Sequence, residues 1–140
     1  MTKNFSEWFS RCTGDWISYR RYLSMPAAKD DKYTTEFTIK ADDKDVSISW
    51  EGEVSEGIMN MVIEGDLLKR DIGYFSDDPT DSRMEMIDDD TIVFHSAYDG
   101  MTFREEIRLL NDDKYRLRQT VGYRKGSEPF LVGQYFEQRR

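Results

Sequence analysis

Hydrophobic and polar residues alternate with a period of two along most of the chain, which is typical of β-strands with one buried face. The first residues differ, because Phe5, Trp8 and Phe9 recur at the spacing of one helix face and Asn4 can cap the first turn. The pattern therefore predicts a short amphipathic helix followed by an all-β fold. We expect ten strands, over residues 15–24, 33–40, 45–52, 57–64, 67–75, 82–88, 91–98, 101–110, 115–124 and 129–139.

Short turn-forming segments separate the predicted strands and join them in sequence order. ADDKD, NDDK and the pair Asp99-Gly100 supply the Asp, Asn and Gly that tight turns need, and Asp-Gly is the strongest hairpin signal. No linker, repeat or shift in composition divides the 140 residues, so we expect a single domain over residues 1–140. Ten short strands in meander order favour one up-and-down antiparallel barrel.

Composition and charge exclude several classes of protein and of binding partner. The net charge of −8 argues against a nucleic-acid binder, and 14% aromatic residues argue against disorder. Cys12 is the single cysteine and His95 the single histidine, so we expect neither an intramolecular disulfide nor a metal site. Since no signal peptide or membrane-spanning apolar run is evident, we expect a cytoplasmic protein without a membrane partner.

The candidate chemistry lies in the hairpin predicted over residues 101–120, where Glu106, Arg116 and Arg118 occur. If the apolar residues between them face the core, the charges form a solvated ladder, because buried charges are costly unless paired. If the charged positions face inward, the arginines could clamp a ligand carboxylate. A carboxylic acid beside an apolar ligand could then deliver a proton. Alternation alone favours the solvated ladder, but both interpretations stay open.

Five stretches together resemble the CpcS/CpeS family of phycobiliprotein lyases. The resemblance implies a ten-stranded antiparallel barrel, similar to fatty-acid-binding proteins and lipocalins, with a helix near the start. It also implies an enzyme that binds a linear tetrapyrrole, a bilin, noncovalently and transfers it to a cysteine of an apo-phycobiliprotein through a thioether. The bilin is then the substrate, and no cofactor is expected. The stretches are GDWISYR at 14–20, SISWEG at 47–52, LLKRDIGYFSDDP at 67–79, FREEIRLLNDDKYRLRQT at 103–120 and FEQRR at 136–140.

The resemblance also implies roles for individual residues, with Glu106 and Arg116 as the catalytic pair. Arg116 and Arg20 would pair with the two bilin propionates, and Arg118 would be a third cation. Glu106 would hydrogen-bond the pyrrole nitrogens and keep the bilin protonated, which makes the ring A ethylidene a better electrophile. We therefore predict that positions 106, 116 and 118 face the barrel interior. The other predicted substrate-binding residues are Trp16, Ser18, Trp50 and Met61.

Three of these residues also have structural interpretations, and for Trp50 this is a structural role in place of a flat surface for the bilin. Trp16 could plug the closed end of the barrel under Arg139 or Arg140 through a cation–π contact. Met61 shares a strand face with Met59 and could fill the core instead of lining a cavity.

Two other functions stay open beside the lyase. A passive carrier of bilin, fatty acid or haem breakdown product would need the arginines but not Glu106, and an interaction module with a solid core would need neither. For the lyase, the resemblance favours phycoerythrobilin as the bilin and a cyanobacterial or phage source. It also leaves a homodimer open.

Overall fold

A computed structural model describes residues 4–25, 29–72, 79–98, 100–125 and 128–140. One helix, α1 (Phe5–Arg11), precedes ten strands that form a closed antiparallel barrel. The strands are β1 (Gly14–Ser24), β2 (Lys29–Asp42), β3 (Asp45–Gly52), β4 (Glu56–Glu64), β5 (Leu67–Arg70), β6 (Thr80–Asp88), β7 (Thr91–Tyr98), β8 (Met101–Leu110), β9 (Tyr115–Arg124) and β10 (Glu128–Arg139).

The predicted all-β fold, the ten strands and the short first helix are confirmed. Every strand pairs with its neighbours in the sequence, and β1 also pairs with β10, so the sheet closes without an open edge. β5 ends at Arg70, five residues earlier than expected. Residues 73–78 and Asp99, the first residue of the predicted Asp-Gly turn, lie outside the described residues.

Helix α1 covers one end of the barrel and is fixed there by its sequence. The side chain of Asn4 accepts a hydrogen bond of 2.8 Å from the backbone of Glu7, which confirms the predicted cap. Trp8 and Phe9 on the inner helix face are buried, and the Trp8 indole donates to the carbonyl of Asp90 in the β6–β7 turn. We call this the closed end. The one described helix has seven residues, so no helix among the described residues is long and apolar enough to cross a membrane.

Arginines lock the closed end from outside. Arg11 at the end of α1 pairs with Asp90 at 2.6 Å and Asp113 at 2.7 Å. The Arg139 guanidinium lies 4.4 Å from the ring centroid of Trp16, which is fully buried. Trp16 therefore plugs the closed end under Arg139, as one of its two interpretations predicted, while a contact of Trp16 with bilin stays a prediction.

The barrel interior contains an apolar cluster and a set of polar residues. The apolar cluster consists of aromatic, aliphatic and methionine side chains, includes Trp8 and Phe9 of α1, and holds Met59 and Met61 almost fully buried. Other inward positions are polar, although they remain buried. The buried polar and charged residues are Ser18, Thr35, Arg70, Thr80, Ser82, Thr91, Glu105, Arg116, Arg118, Thr120 and Glu137. These residues mark the interior as the place to look for a binding site, since buried charge is costly unless paired.

Candidate functional site

The β8–β9 hairpin decides which charges enter the barrel. Its four-residue turn, 111–114, pairs Leu110 with Tyr115, so each even-numbered position of one strand lies opposite an odd-numbered position of the other. Cross-strand partners point to the same side of a sheet. Arg116 and Arg118 are buried opposite Leu109 and Ile107, so these two inward predictions are confirmed.

The prediction that Glu106 faces the interior is wrong. Glu106 lies opposite Gln119 on the outer face, its side chain is 35% exposed, and it pairs weakly with Arg104 at 3.5 Å. The inward carboxylate is its neighbour Glu105, which is 6% exposed. The turn length excludes Glu106 from the face of the two arginines, because successive strand residues point to opposite sides. A catalytic role for Glu106 stays a prediction, and Glu106 would have to act from the outer face of the barrel.

The turn itself is built from residues suited to its geometry. Asn111, Asp112 and Asp113 have φ of 54°, 55° and 62°, in the left-handed region that Asn and Asp adopt more readily than other non-glycine residues. Their conformation holds the pairing that sends Arg116 and Arg118 inward.

Four charged side chains form a buried network, which we call the ionic cluster: Glu105, Arg116, Arg118 and Glu137. Arg118 donates to Glu137 and to Glu105, both at 3.0 Å. Arg116 lies 3.1 Å from the second oxygen of Glu137, a contact of opposite charges without the alignment of a hydrogen bond. Thr120 donates to Glu105 at 3.1 Å. Because Glu137 is fully buried, the cluster is a desolvated network rather than a surface ladder.

The arginines keep both carboxyls ionised. Burial raises the pKa of Glu105, but the charges of Arg118 and Arg70 and the hydrogen bonds of Arg118 and Thr120 outweigh it, so the pKa lies below its ordinary value. Glu137 behaves alike: burial raises its pKa, and Arg118, Arg116 and Arg20 lower it by more.

One oxygen of the ionic cluster is available to a ligand. Oε1 of Glu105 is buried and accepts no hydrogen bond from the described residues. A buried acceptor without a donor is costly in a stable core, so it needs an explanation such as a ligand site.

One aromatic ring, that of Tyr135, lies over the ionic cluster. The Tyr135 ring has the Arg118 guanidinium 4.3 Å and the Arg20 guanidinium 5.4 Å from its centroid. A Cβ added at Gly133 would lie 2.7 Å from the Tyr135 hydroxyl, so glycine makes room for this phenol. Burial raises the pKa of Tyr135 well above its ordinary value, which keeps the hydroxyl protonated as a donor.

The sequence-predicted residues of β1 join the same site. Ser18 is fully buried opposite Glu137, and Arg20 is half-buried opposite Tyr135. The Arg20 side chain donates to the hydroxyl of Ser18 at 3.1 Å. β1 thus supplies a cation and a hydroxyl to the wall formed by β9 and β10.

Two other predicted residues lie apart from the ionic cluster. Met61 on β4 is packed in the apolar cluster. Trp50 is half-buried near the end of β3, where its indole donates to Ser55 at 3.2 Å and Gly57 leaves space for its ring. Substrate binding by these two residues stays a prediction.

Three buried charges are not predicted by the sequence pattern: Glu105, Glu137 and Arg70. The turn length was a usable signal for Glu105. Glu137 lies in the quoted FEQRR stretch, but its position beside Arg116 and Ser18 follows only from closure of the barrel. Arg70 alternates with the outward Lys69, yet an arginine on a strand is ordinarily taken as exposed.

The outer face of the same strands carries a groove of about 520 Å³. Its lining includes Tyr19, Glu106, Arg108, Leu117 and Phe136. Arg118 and Tyr135 also line this groove, so Glu106 and one residue of the ionic cluster border the same pocket. Among the described residues, no group of three or more His, Cys, Asp or Glu side chains is arranged to hold a metal ion.

The protein is similar in sequence to two cyanobacterial proteins. The protein is 26% identical, over 95% of its length and 89% of the relative, to a Nostoc protein provisionally named phycocyanobilin lyase CpcS 2. It is 38% identical, over 55% of its length and 37% of the relative, to a Picosynechococcus protein provisionally named chromophore lyase CpcV.

Solved structures share the fold. An S-type phycobiliprotein lyase, CPES of Guillardia theta, superposes with a TM-score of 0.72 at 21% identity, over 96% of this chain and 91% of that one. Rv2717c of Mycobacterium tuberculosis gives a TM-score of 0.57 at 10% identity, over 100% and 99% of the two chains. The family model described as CpeS-like protein matches residues 46–140, which include β4 to β10 and all four residues of the ionic cluster. The chain therefore belongs to the CpeS-like protein family.

Proposed function

We propose that this protein is a phycobiliprotein chromophore lyase, which binds a bilin inside the barrel and transfers it to a cysteine of an apo-phycobiliprotein. The names of the two cyanobacterial relatives and of the Guillardia theta protein support the class of activity. The observation that carries the proposal is the ionic cluster, a desolvated set of arginines and carboxylates inside a barrel whose other end is plugged.

Three arginines of β1 and β9, which we call the arginine wall, supply the affinity for an acidic, largely apolar ligand. Arg116, Arg118 and Arg20 give three positive charges against the two of Glu105 and Glu137, an excess of one on this wall among the described residues. A propionate that enters the site meets guanidinium forks suited to bidentate binding. The ring of Tyr135 offers a flat surface beside them.

The negative charge of Glu105 assists the transfer reaction. Its free Oε1 is an acceptor for pyrrole N–H groups, and its ionised state stabilises a protonated, cationic tetrapyrrole. In the transfer, the acceptor thiol's sulfur bonds to the exocyclic carbon of the ring A ethylidene, and the thiol's proton ends on the bilin, so no atom is lost. A cationic bilin is the better electrophile for this addition. We therefore assign to Glu105 the role that the sequence predicts for Glu106.

Single-turnover transfer with matched variants tests this assignment. Glu105→Gln removes the negative charge from the interior, so we expect bilin to bind with an altered absorption spectrum and to transfer about 100-fold or more slowly. Glu106→Gln makes the same change on the outer face and should transfer at the wild-type rate. Slow transfer by Glu106→Gln with normal transfer by Glu105→Gln would restore the sequence-based role of Glu106. If both variants transfer bilin at the wild-type rate, neither carboxylate takes part in the mechanism.

A passive carrier of bilin is the second candidate, and the outward position of Glu106 favours it, because a carrier needs the arginines but not that carboxylate. Phycoerythrobilin and phycocyanobilin are the bilins to compare, with phycoerythrobilin the one that the sequence resemblance favours. A red-shifted, sharpened absorption band reports binding, and a covalent, zinc-fluorescent product on a denaturing gel reports transfer. Binding without a covalent product would identify the carrier.

A homodimer and a phage source stay predictions.

A further inference from the structure

The strands that form the candidate site carry a line of exposed apolar side chains on their outer face. Tyr19 of β1 pairs with Phe136 of β10, and Phe136 pairs with Leu117 of β9. Leu117 pairs in turn with Arg108 of β8. Since cross-strand partners point to the same side of a sheet, these four side chains form one continuous line, which we call the outer row. Its three apolar members are each between 42% and 48% exposed, and the ring of Tyr115 stacks on that of Phe136 at 5.5 Å.

Two apolar side chains on the opposite side of the barrel are also exposed, but they are isolated. β4 lies five strands from β9 in the ten-stranded barrel. Val62 on β4 lies between Asp45 and Lys69, and Ile58 on the same strand pairs with Ser49. Single exposed apolar residues are normal on soluble proteins, whereas a contiguous apolar patch marks an interaction site. The outer row is such a patch.

The charges around the outer row leave a positive excess on an acidic protein. Arg21 is paired with Asp30 at 2.8 Å. Arg104 is paired with Glu106 at 3.5 Å. Arg108 ends the row as an exposed cation that forms no salt bridge with a described residue, on a chain whose net charge is −8. An apolar surface that ends in a cation is complementary to a partner segment with apolar side chains beside a carboxylate.

The size and charge of the outer row favour a transient partner over a second copy of this chain. If each apolar side chain exposes about half of the 150–250 Å² that an aromatic residue can bury, the row offers on the order of 300 Å². Homodimer interfaces commonly bury roughly 2,000 Å² or more in total, about 1,000 Å² on each subunit. A two-fold dimer on this face would also bring two Arg108 side chains into one interface, where like charges repel.

We propose that the outer row is the docking surface for the apo-phycobiliprotein, and that it binds a segment of that protein in which apolar side chains lie beside a carboxylate. The inference rests on the proposed transfer function, which requires the acceptor to bind this chain, and it adds the place of binding. The apolar side chains of the segment pack on the three apolar members of the row, and the carboxylate pairs with Arg108. Arg118 and Tyr135 line the groove at the row and also belong to the candidate site, so the docked acceptor lies against the wall that holds the bilin.

Steady-state transfer at varied acceptor concentration tests the docking surface. The protein is supplied with excess phycoerythrobilin or phycocyanobilin, and the acceptors are bilin-free subunits of phycoerythrin and of phycocyanin. Leu117→Thr/Phe136→Thr keeps side chains suited to a strand but removes apolar surface, so KM for the acceptor should rise about 10-fold or more. The kcat and the Kd for bilin should stay at their wild-type values. Ile58→Thr/Val62→Thr makes the matched change on β4, where the side chains are 56% and 41% exposed, and should leave KM unchanged.

Reversing the charge at the end of the row is an independent measurement, because it leaves the apolar side chains in place. Arg108→Glu and the control Lys69→Glu on β5 each lower the net charge by two, so their long-range repulsion of an acidic acceptor is the same. At low salt, KM should be about five-fold higher in Arg108→Glu than in Lys69→Glu, and the difference should shrink as salt is added. Equal KM values in these two variants would show that Arg108 does not contact the acceptor.

Other results would overturn the docking surface as a whole. If KM for the acceptor is the same in the wild type and in both double variants, the acceptor binds elsewhere. If Leu117→Thr/Phe136→Thr turns a dimer into a monomer without changing KM, the row binds a second copy of this chain. If the same variant loses affinity for bilin, the row only supports the barrel wall. These results leave the proposed function intact, because the wild type still transfers bilin. A wild type that transfers bilin to neither acceptor removes the proposed function and the docking surface together.

Discussion

Glu105 and Glu106 are adjacent in the chain and chemically identical, yet they lie in opposite environments. Glu105 is buried among Arg118 and Thr120, whereas Glu106 shares the outer face of the β8–β9 hairpin with Arg104 and lines the groove described above. Both faces are mixtures of charge and apolar surface, because Leu117 is 43% exposed on the outer face. The comparison teaches that residue type alone does not separate inside from outside in this hairpin.

The two faces differ in how their charges are satisfied. On the outer face, ions are solvated by water and their pairs contribute little to stability. On the inner face, every charge has lost its water and depends on its protein partners. Charges buried at such a cost are typical of binding sites, where local rules of patterning are broken. Each outer residue therefore serves as a control for its inner counterpart.

The largest expected effect is the loss of Arg118. Arg118→Met leaves Glu105 and Glu137 buried with less compensating charge, so we expect the free energy of unfolding to fall by about 3–5 kcal/mol at neutral pH. The outer Arg108→Met should change it by no more than about 0.5 kcal/mol. Urea denaturation of the ligand-free variants measures both values. A loss below about 1 kcal/mol for Arg118→Met would mean that the ionic cluster is open to water.

Neutralising the inner carboxylate should have a smaller effect that depends on pH. Glu105→Gln keeps the shape but weakens charge-assisted hydrogen bonds, so we expect a loss of about 1.5–3 kcal/mol at neutral pH. Since Arg118, Arg70 and Thr120 lower the pKa of Glu105 in the fold, the stability from its ionised form is present above pH 4.5 and is lost as pH falls through the lowered pKa.

Urea denaturation between pH 6 and about pH 3 provides the measurement. The difference between the wild type and Glu105→Gln should narrow as the pH falls, whereas Glu106→Gln should follow the wild type throughout. A difference that stays constant over this range would show that Glu105 has no lowered pKa.

The smallest expected effect concerns the outer pair of Arg104 and Glu106. Their side chains are 44% and 35% exposed and 3.5 Å apart, so a double-mutant cycle should give a coupling of about 0.2–1 kcal/mol that decreases with added salt. A larger, salt-independent coupling would mean that the outer groove is shielded from water in solution, and the two faces would no longer contrast.

The fold was predictable because its signals are local. Alternation along each strand and the Asp, Asn and Gly of each turn define ten strands in meander order, and the helical spacing of Phe5, Trp8 and Phe9 defines α1. The inward positions of Arg116 and Arg118 required the family resemblance, because binary patterning alone favours their exposure.

The rest of the site depends on pairings between distant strands. Glu137 meets Arg116 only through the register of β9 with β10, and Arg70 reaches Ser82 and Ser96 only after β5, β6 and β7 align. Glu105 was the exception, since the parity set by the 111–114 turn places it, and not Glu106, beside the arginines. The number of residues in the turn is therefore enough to predict the inward position of Glu105.

The seam between β1 and β10 also sets the order of events during synthesis. It pairs Trp16 with Arg139 and Ser18 with Glu137, contacts between residues more than 100 positions apart, as the numbers of each pair show. Such distant contacts require a large loss of chain entropy before they form, which slows folding. On the ribosome, β9 emerges before β10, so the nascent chain carries Arg116 and Arg118 without Glu137. The interior of this barrel is therefore assembled last, and an incomplete chain exposes the strand with the highest net positive charge to the chaperones of the cell.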